Sequence, residues 1–298
     1  MKNITITTNY RVPEKAEIAK LAASRLLSCG ATLILPTFAR GIVNECENVR
    51  FVSPDKVYDH IDLVVVVGGD GSVLEAARRA CVNNTPILGI NKGRLGYMTA
   101  IEVDELELLD EVFSGNYYYD DRTMLEIQLL HNGKPLYVSR ALNDAVVSNG
   151  SMAKVVDMQL SADGKPVGNY RADGLIVTSP SGSTAYSLSA GGPIIAPNAS
   201  AFCVTPVCSH SFRDRPIVFS DSTVLEIKNT CDREPYLYLS IDGRINIRVM
   251  KNQIVRISKS DKFARLVRIK EHNFYSDLCS KLAAIQYSGG LYNQKQTS

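Results

Sequence analysis

DLVVVVGGDGS, residues 62–72, decides how the first part of the chain folds. Leu63 to Val67 is an unbroken aliphatic run, apolar on both faces, as in a buried strand of a parallel sheet. It runs directly into glycines, and the residues after them predict a helix over 73–82. In an open α/β sheet, ligands gather beyond the carboxyl ends of the strands. Glycines there let the backbone approach a ligand, and a helix N-terminus favours an anion. Gly68, Gly69, Gly71 and Ser72 are therefore candidate phosphate-loop residues. Neither common phosphate motif fits: GxxxxGK[ST] lacks its Lys and GxGxxG its third Gly. Asp70 is the odd member. A carboxylate repels a phosphate unless it serves as a base, a metal partner or a hydroxyl acceptor. The alternative is an Asp in a tight turn, with Ser72 as an ordinary N-cap.

Toward the N-terminus, Ile4 and Ile6 alternate with polar residues and predict a strand over 3–8. Pro13 with Ala16, Ala19, Ala22, Ala23, Leu26 and Leu27 predicts an amphipathic helix ending at Gly30. Strands over 31–35 and 86–90 continue the alternation, and a helix over 103–113 closes it. This is an α/β domain with a parallel sheet, residues 1–119. Beyond it the period changes to two. Asn132-Gly133 and Asp163-Gly164 are hairpin turns. Further strands are expected over 174–178, 201–207, 223–228, 236–241, 245–249 and 253–258. Residues 120–268 therefore form a β-rich, sandwich-like domain. Residues 269–298 are a C-terminal segment whose helix, about 274–284, is expected to pack on the first domain, followed by a mobile tail from Ser288.

Composition excludes several classes. Of 298 residues, 45% are hydrophobic and 21% charged, ordinary globular values that rule out a disordered or collagen-like chain. A net charge of +2 argues against a nucleic-acid or membrane surface as partner. Seven Cys with no CxxC, and four scattered His, match neither a disulfide scaffold nor a zinc site. With no apolar leader and no span long enough for a bilayer, the expected location is the cytoplasm.

Three further stretches carry chemistry. Asn91-Lys92-Gly93-Arg94-Leu95-Gly96-Tyr97 follows the next parallel strand, at the same sheet end as Asp70, and Tyr97 is placed to stack on a base or to be an ordinary half-buried Tyr. Asn143-Asp144 can take both hydroxyls of a ribose or form an Asx turn. The longest is RADGLIVTSPSGSTAYSLSAGGP, residues 171–193, whose hydroxyls and small residues exceed what a structural loop needs. It is no nucleophile elbow, since Ser181-Gly182-Ser183 departs from G-x-S-x-G.

GGDGS, NKGRLGY, Asn143-Asp144, DGLIVTSPSGSTAYSLSAGGPII, His210-Ser211 with Arg215-Pro216, and Asp242-Gly243 stand in this order over residues 62–243. Together they resemble the NAD kinase family, which phosphorylates the 2′-hydroxyl of the adenosine ribose of NAD to give NADP. GGDGS is shared with lipid kinases and weakly with phosphofructokinases; GSTAY followed by GGP is far more specific. One position departs, since the family usually has Asn-Glu where this chain has Asn143-Asp144.

The resemblance implies roles residue by residue. Asp70 is the general base, and Gly68, Gly69, Gly71 and Ser72 leave room for phosphates. Gly71, Tyr97, Asn143, Asp144, Arg171, Asp173, Ser181, Thr184, Ala185, Tyr186 and Asp242 are NAD-binding residues, Tyr97 near adenine, Arg171 on phosphate charge, and Asp242 contributed across a subunit contact. Mg²⁺ is expected with ATP or polyphosphate as donor, the nucleotide carrying most of its ligands. The family's α/β first domain and β-rich second domain match the strand and helix pattern above, and its members are homodimers or homotetramers. Two other functions share parts of this pattern: a diacylglycerol-type lipid kinase, which needs no GSTAY–GGP stretch, and a non-catalytic NAD(P) sensor, in which Asp70 has no obligatory role.

Overall fold

The computed structural model describes residues 1–92, 96–150, 155–211, 213–271 and 273–290. The strands in chain order are β1 (Asn3–Thr7), β2 (Thr32–Pro36), β3 (Val49–Val52), β4 (Leu63–Val67), β5 (Ile87–Asn91), β6 (Ile101–Glu102), β7 (Tyr118–His131), β8 (Lys134–Ala141) and β9 (Asp144–Ser148). They continue with β10 (Val156–Ala162), β11 (Lys165–Ala172), β12 (Gly174–Thr178), β13 (Ala201–Val207), β14 (Ile217–Ser220), β15 (Leu225–Asn229), β16 (Tyr236–Ile241), β17 (Ile245–Met250) and β18 (Ile254–Arg268). The α-helices are α1 (Pro13–Ser28), α2 (Asp70–Ala80), α3 (Glu111–Ser114), α4 (Tyr186–Ser189) and α5 (Phe274–Gly290).

Strands β3-β2-β1-β4-β5 run parallel, with β6 also parallel to β5. β4 is buried on both faces, as its composition requires. Leu63, Val65 and Val67 pack with Ala19, Ala22 and Leu26 of α1. Val64 and Val66 face the other way, toward Val73, Ala76 and Ala77 of α2. The second half is an antiparallel sandwich. One layer is β14-β13-β12-β9-β16-β17. The other is β11-β10-β15-β18 with β7 and β8. The two layers share one core, to which β7 contributes Leu125, Ile127 and Leu129 and the first layer Val147, Leu175, Phe202 and Leu239.

The halves are not separate sheets. β18 is fifteen residues long. It pairs antiparallel with β15 and β7, and at Leu266 it pairs parallel with Ile87 of β5. The parallel sheet and one sandwich layer are thus one continuous sheet of twelve strands.

Two predicted helices differ in detail. α2 begins at Asp70, with Gly69 as its N-cap, so Ser72 is not the cap. Residues 103–110 form a 3₁₀ helix, with non-helical geometry at Glu105, before the short α3. The Glu105 side chain accepts the Glu102 N–H at 3.0 Å, half of a capping box at the start of the turn, and pairs with Lys270. Among the described residues no helix is long and apolar enough to cross a membrane.

Candidate active site

Asp70 occupies the first turn of α2, directly beyond the carboxyl end of β4. Its Oδ2 accepts the Tyr97 N–H at 2.9 Å and its Oδ1 the Met98 N–H at 3.0 Å. The carboxylate is therefore fixed by the backbone that follows β5. Gly96 is required by this closeness, because a Cβ there would stand 2.1 Å from Asp70 Oδ1. Gly68 is required too. Its φ is +153°, and a Cβ would meet Ser72 Oγ at 2.4 Å. Gly69 and Gly71 are exposed, and Ser72 lines a cavity described below. Residues 93–95 of the NKGRLGY stretch lie outside the described residues.

Asn143 and Asp144 are brought to α2 by their neighbour Leu142, which packs with Val66, Val73, Ala76 and Ala77. Both are buried. The Asn143 carbonyl accepts the Ser179 N–H at 2.9 Å and the Thr178 hydroxyl at 3.0 Å. Gly182 lies so close that a Cβ would stand 2.3 Å from that carbonyl. The turn after β12 is thereby pressed against Asn143. Asn143 Oδ1 is buried with no hydrogen-bond partner among the described residues. Such an acceptor is uncommon, and a ligand N–H or hydroxyl would satisfy it.

Asp242 lies in a hairpin turn with Gly243, at φ values of 47° and 69°. Its carboxylate accepts three N–H groups, from Leu142 at 3.0 Å, Asn143 at 2.8 Å and Asp144 at 3.1 Å. Within one chain its visible work is to hold this segment. Burial pushes Asp242 up, although the three N–H groups favour its charged form. Burial, and then the neighbouring Asp242, push Asp144 up to about 7. Asp144 is the partner that keeps the proton, since Asp242 has the donors.

In the turn after β12, Ser181 is buried and Thr184 and Ala185 are half-buried, while Tyr186 is exposed. Ser183 is structural: it donates to the Pro180 carbonyl at 2.7 Å and accepts the Ile195 N–H at 3.0 Å. Arg171 and Asp173 are placed elsewhere. β12 pairs Thr178 with Asp144 at one end and Gly174 with Ser148 at the other. Asp173 is thus about five strand residues, roughly 17 Å, from the Asp144 end. The exposed Arg171 lies further still, its carbonyl taking the His210 N–H at 3.0 Å.

Three cations not expected from sequence approach the loop. Lys15 and Arg244 line a cavity of about 360 Å³ beside Ser72, together with Thr8, Asn9 and Glu75. Arg244 pairs with Glu75 and donates to the Gly71 carbonyl at 3.0 Å. Lys281 of α5 places its Nζ 3.3 Å from the centre of the Tyr97 ring. Arg244 had a signal, its place directly after the Asp242-Gly243 turn. Lys15 had none, because only the packing of α1 brings it to β4. Among the described residues no group of three or more His, Cys, Asp or Glu side chains is placed to hold a metal ion.

The comparisons with known proteins agree with this arrangement. The family model for the ATP-NAD kinase N-terminal domain matches residues 4–117, and that for the ATP-NAD kinase C-terminal domain matches 142–269. The NAD kinase of Symbiobacterium thermophilum is 36% identical over 284 residues, covering 95% of this chain and 99% of that protein. The NAD kinase of Marinobacter nauticus is 42% identical over 222 residues, covering 74% and 76%. Among solved structures, yeast NADH kinase complexed with NADH superposes with a TM-score of 0.85 at 24% identity, covering 95% of this chain and 88% of that one. An NAD kinase from Archaeoglobus fulgidus in complex with ATP superposes with a TM-score of 0.70 at 25% identity, covering 94% and 99%. With both halves matched in order and relatives similar along nearly its whole length, the chain belongs to the NAD kinase family.

Proposed function

We propose that the chain transfers the γ-phosphoryl group of ATP to the 2′-hydroxyl of the adenosine ribose of NAD, giving NADP and ADP. The observation that carries this is the fixed Asp70 carboxylate at the mouth of α2, joined through Arg244 and Asp242 to the buried Asn143-Asp144 pair. Two N–H groups occupy part of the carboxylate's accepting capacity, and lone pairs remain for the hydroxyl proton. As the 2′-oxygen attacks, its O–H bond breaks and the proton passes to Asp70. The new O–P bond forms while the bond from the γ-phosphorus to the ADP oxygen breaks.

Asn143 and Asp144 hold the adenosine half of NAD, and Ser181, Thr184, Ala185 and Tyr186 line its path. The donor's phosphates occupy the cavity between Lys15, Ser72 and Arg244. The divalent cation enters as part of the donor substrate, bound by its phosphates. Arg171, in β11, and Asp173, just before β12, stand too far from the Asp144 end to serve this pocket, so a second copy of the chain is their route to NAD, in a homo-oligomer.

Asp70→Asn tests the assignment. In a coupled assay of NADP formation, turnover falls by roughly two to four powers of ten while calorimetry shows NAD binding kept. Near-normal turnover in that variant would overturn the role of Asp70. Phosphorylation of diacylglycerol instead of NAD, or NAD binding without turnover by the unaltered protein, would overturn the reaction itself.

A further inference from the structure

Three charged side chains lie between the two loops that form the pocket. Arg268, at the end of β18, is 1% exposed, and Arg122 on β7 is 3% exposed. Asp120 lies between them. Its Oδ1 accepts Arg122 Nε at 2.6 Å, and its Oδ2 accepts Arg122 Nη2 at 2.7 Å and Arg268 Nε at 3.1 Å. The outer ends of the two guanidinium groups reach different loops. Arg268 Nη1 donates to the Thr99 carbonyl at 2.7 Å and Nη2 to the Tyr97 carbonyl at 2.9 Å. Arg122 Nη1 reaches Ser181 Oγ at 3.4 Å.

One peptide plane joins the cluster to Asp70. The Tyr97 carbonyl and the Met98 N–H belong to the same peptide unit and point in opposite directions. Arg268 holds the carbonyl and Asp70 Oδ1 accepts the N–H. Rotation of that plane breaks both bonds, so one of the two N–H groups that orient the Asp70 carboxylate depends on the Arg268 grip. Only a planar fork with several donors spans two carbonyls and a carboxylate at once; a Lys ammonium does not.

The cluster is a poor choice for stability alone. Two guanidinium groups share one carboxylate, so one positive charge is left over in a buried place, where desolvation offsets much of what the ion pairs gain. Burial pushes the Asp120 carboxyl up, but hydrogen bonds and charge from Arg122 and Arg268 outweigh it and hold the carboxyl below its ordinary value.

We infer that Arg268 and Arg122, joined through Asp120, are positioning residues for the phosphoryl transfer: Arg268 sets the peptide that orients Asp70, and Arg122 sets the Ser181 turn that receives NAD. This rests on the reading of Asp70 as base and Ser181 as pocket residue. The two ends of the chain then affect different kinetic constants.

The test uses full-length protein carrying Arg268→Lys, Arg122→Lys or Asp120→Asn, with thermal melts run alongside kinetics. Arg268→Lys lowers kcat about 10- to 100-fold and leaves the KM for NAD within about twofold. Arg122→Lys raises the KM for NAD about tenfold and leaves kcat within about threefold. Asp120→Asn moves both. Equal changes of kcat and KM at both ends, or melting shifts with unchanged kinetics, overturn the inference. Should an Arg variant fail to fold at its own end, a double-mutant cycle decides at the other. Ser181→Ala adds nothing to the KM of Arg122→Lys, and Arg268→Lys adds nothing to the kcat loss of Asp70→Asn; additive effects overturn it. Full turnover by Asp70→Asn sinks the underlying reading, whereas an inactive Asp70→Asn beside a wild-type Arg268→Lys sinks the positioning chain alone.

Discussion

The Asp242 carboxylate accepts the Asp144 backbone N–H at 3.1 Å, and its charge helps to push the Asp144 carboxyl up to about 7. Burial is the larger cause. Between about pH 4 and 7 the folded chain holds a proton at Asp144 that the unfolded chain has lost. Stability therefore falls as pH rises through that window, at no more than roughly 1.4 kcal/mol per pH unit, and is level above it. Thermal melts of the ligand-free protein show this as a lower Tm at pH 8 than at pH 5, with the drop reduced in Asp144→Asn. Parallel curves for the two proteins would refute it. The same proton bears on NAD. If the charged carboxylate takes a ribose hydroxyl, kcat/KM for NAD rises through about pH 7 in the wild type and loses that step in Asp144→Asn.

Gly96 and Gly182 separate catalysis from folding. A Cβ on Gly96 meets the Asp70 carboxylate, which can swing away at the loss of its two N–H bonds. A Cβ on Gly182 meets the Asn143 backbone carbonyl, which cannot. Gly96→Ala thus lowers kcat by about tenfold or more with a small change in Tm. Gly182→Ala costs about 1–3 kcal/mol of stability, the range for overpacking. Chemical denaturation beside steady-state kinetics distinguishes them, and the opposite pattern would reverse the two assignments.

Local signals carried much of this fold. Asn132-Gly133 and Asp163-Gly164 adopt positive φ at both turn positions, as their hairpins need. Leu63 to Val67 announces a strand buried on both faces. What local pattern does not carry is pairing across the chain. Nothing in residues 253–258 says that the strand runs on to Arg268 and joins a parallel neighbour far earlier in the chain, as Leu266 does with Ile87. The edge strand β14, with Val218 exposed, buries too little to show a period. Nothing local marks Arg122 and Arg268 as buried, because a buried Arg is recognisable only once its carbonyl and carboxylate partners are in place. The site was legible where small residues or a misplaced carboxylate made a loop odd, as at Asp70 and Gly182. It was not legible where an ordinary helix or strand delivers a cation, as with Lys15.

Lys15 supplies the donor test. It lines the cavity beside Ser72, and among the described residues no acidic side chain there pairs with it as Glu75 does with Arg244. A phosphate in that cavity gains a charge-assisted contact from Lys15 that NAD does not share. Lys15→Ala therefore raises the KM for ATP about tenfold and leaves the KM for NAD within about twofold. A rise confined to NAD would exchange the two substrates between the cavity and the Asn143 pocket.

Tyr97 and Lys281 give the last prediction. The Tyr97 ring is already engaged on α5. Phe274 lies 5.9 Å away, centre to centre, and Lys281 Nζ stands 3.3 Å from the ring centre. If adenine stacks on Tyr97, the face under Lys281 must be cleared first. A cation–π contact at a partly exposed site is worth about 0.5–1 kcal/mol, so its removal corresponds to about two- to fivefold in affinity. Burial also pulls the Lys281 ammonium down, so this contact is made at the expense of hydration. The charges of Asp70 and Asp277 partly restore its charged form. The two roles differ in outcome. As a cover on Tyr97, Lys281 opposes NAD, and Lys281→Ala lowers the KM for NAD by that two- to fivefold with kcat unchanged. As a neutraliser of phosphate charge, it favours transfer, and the same variant lowers kcat. The 3.3 Å contact favours the cover, and a fall in kcat at constant KM would show that the cation serves the chemistry.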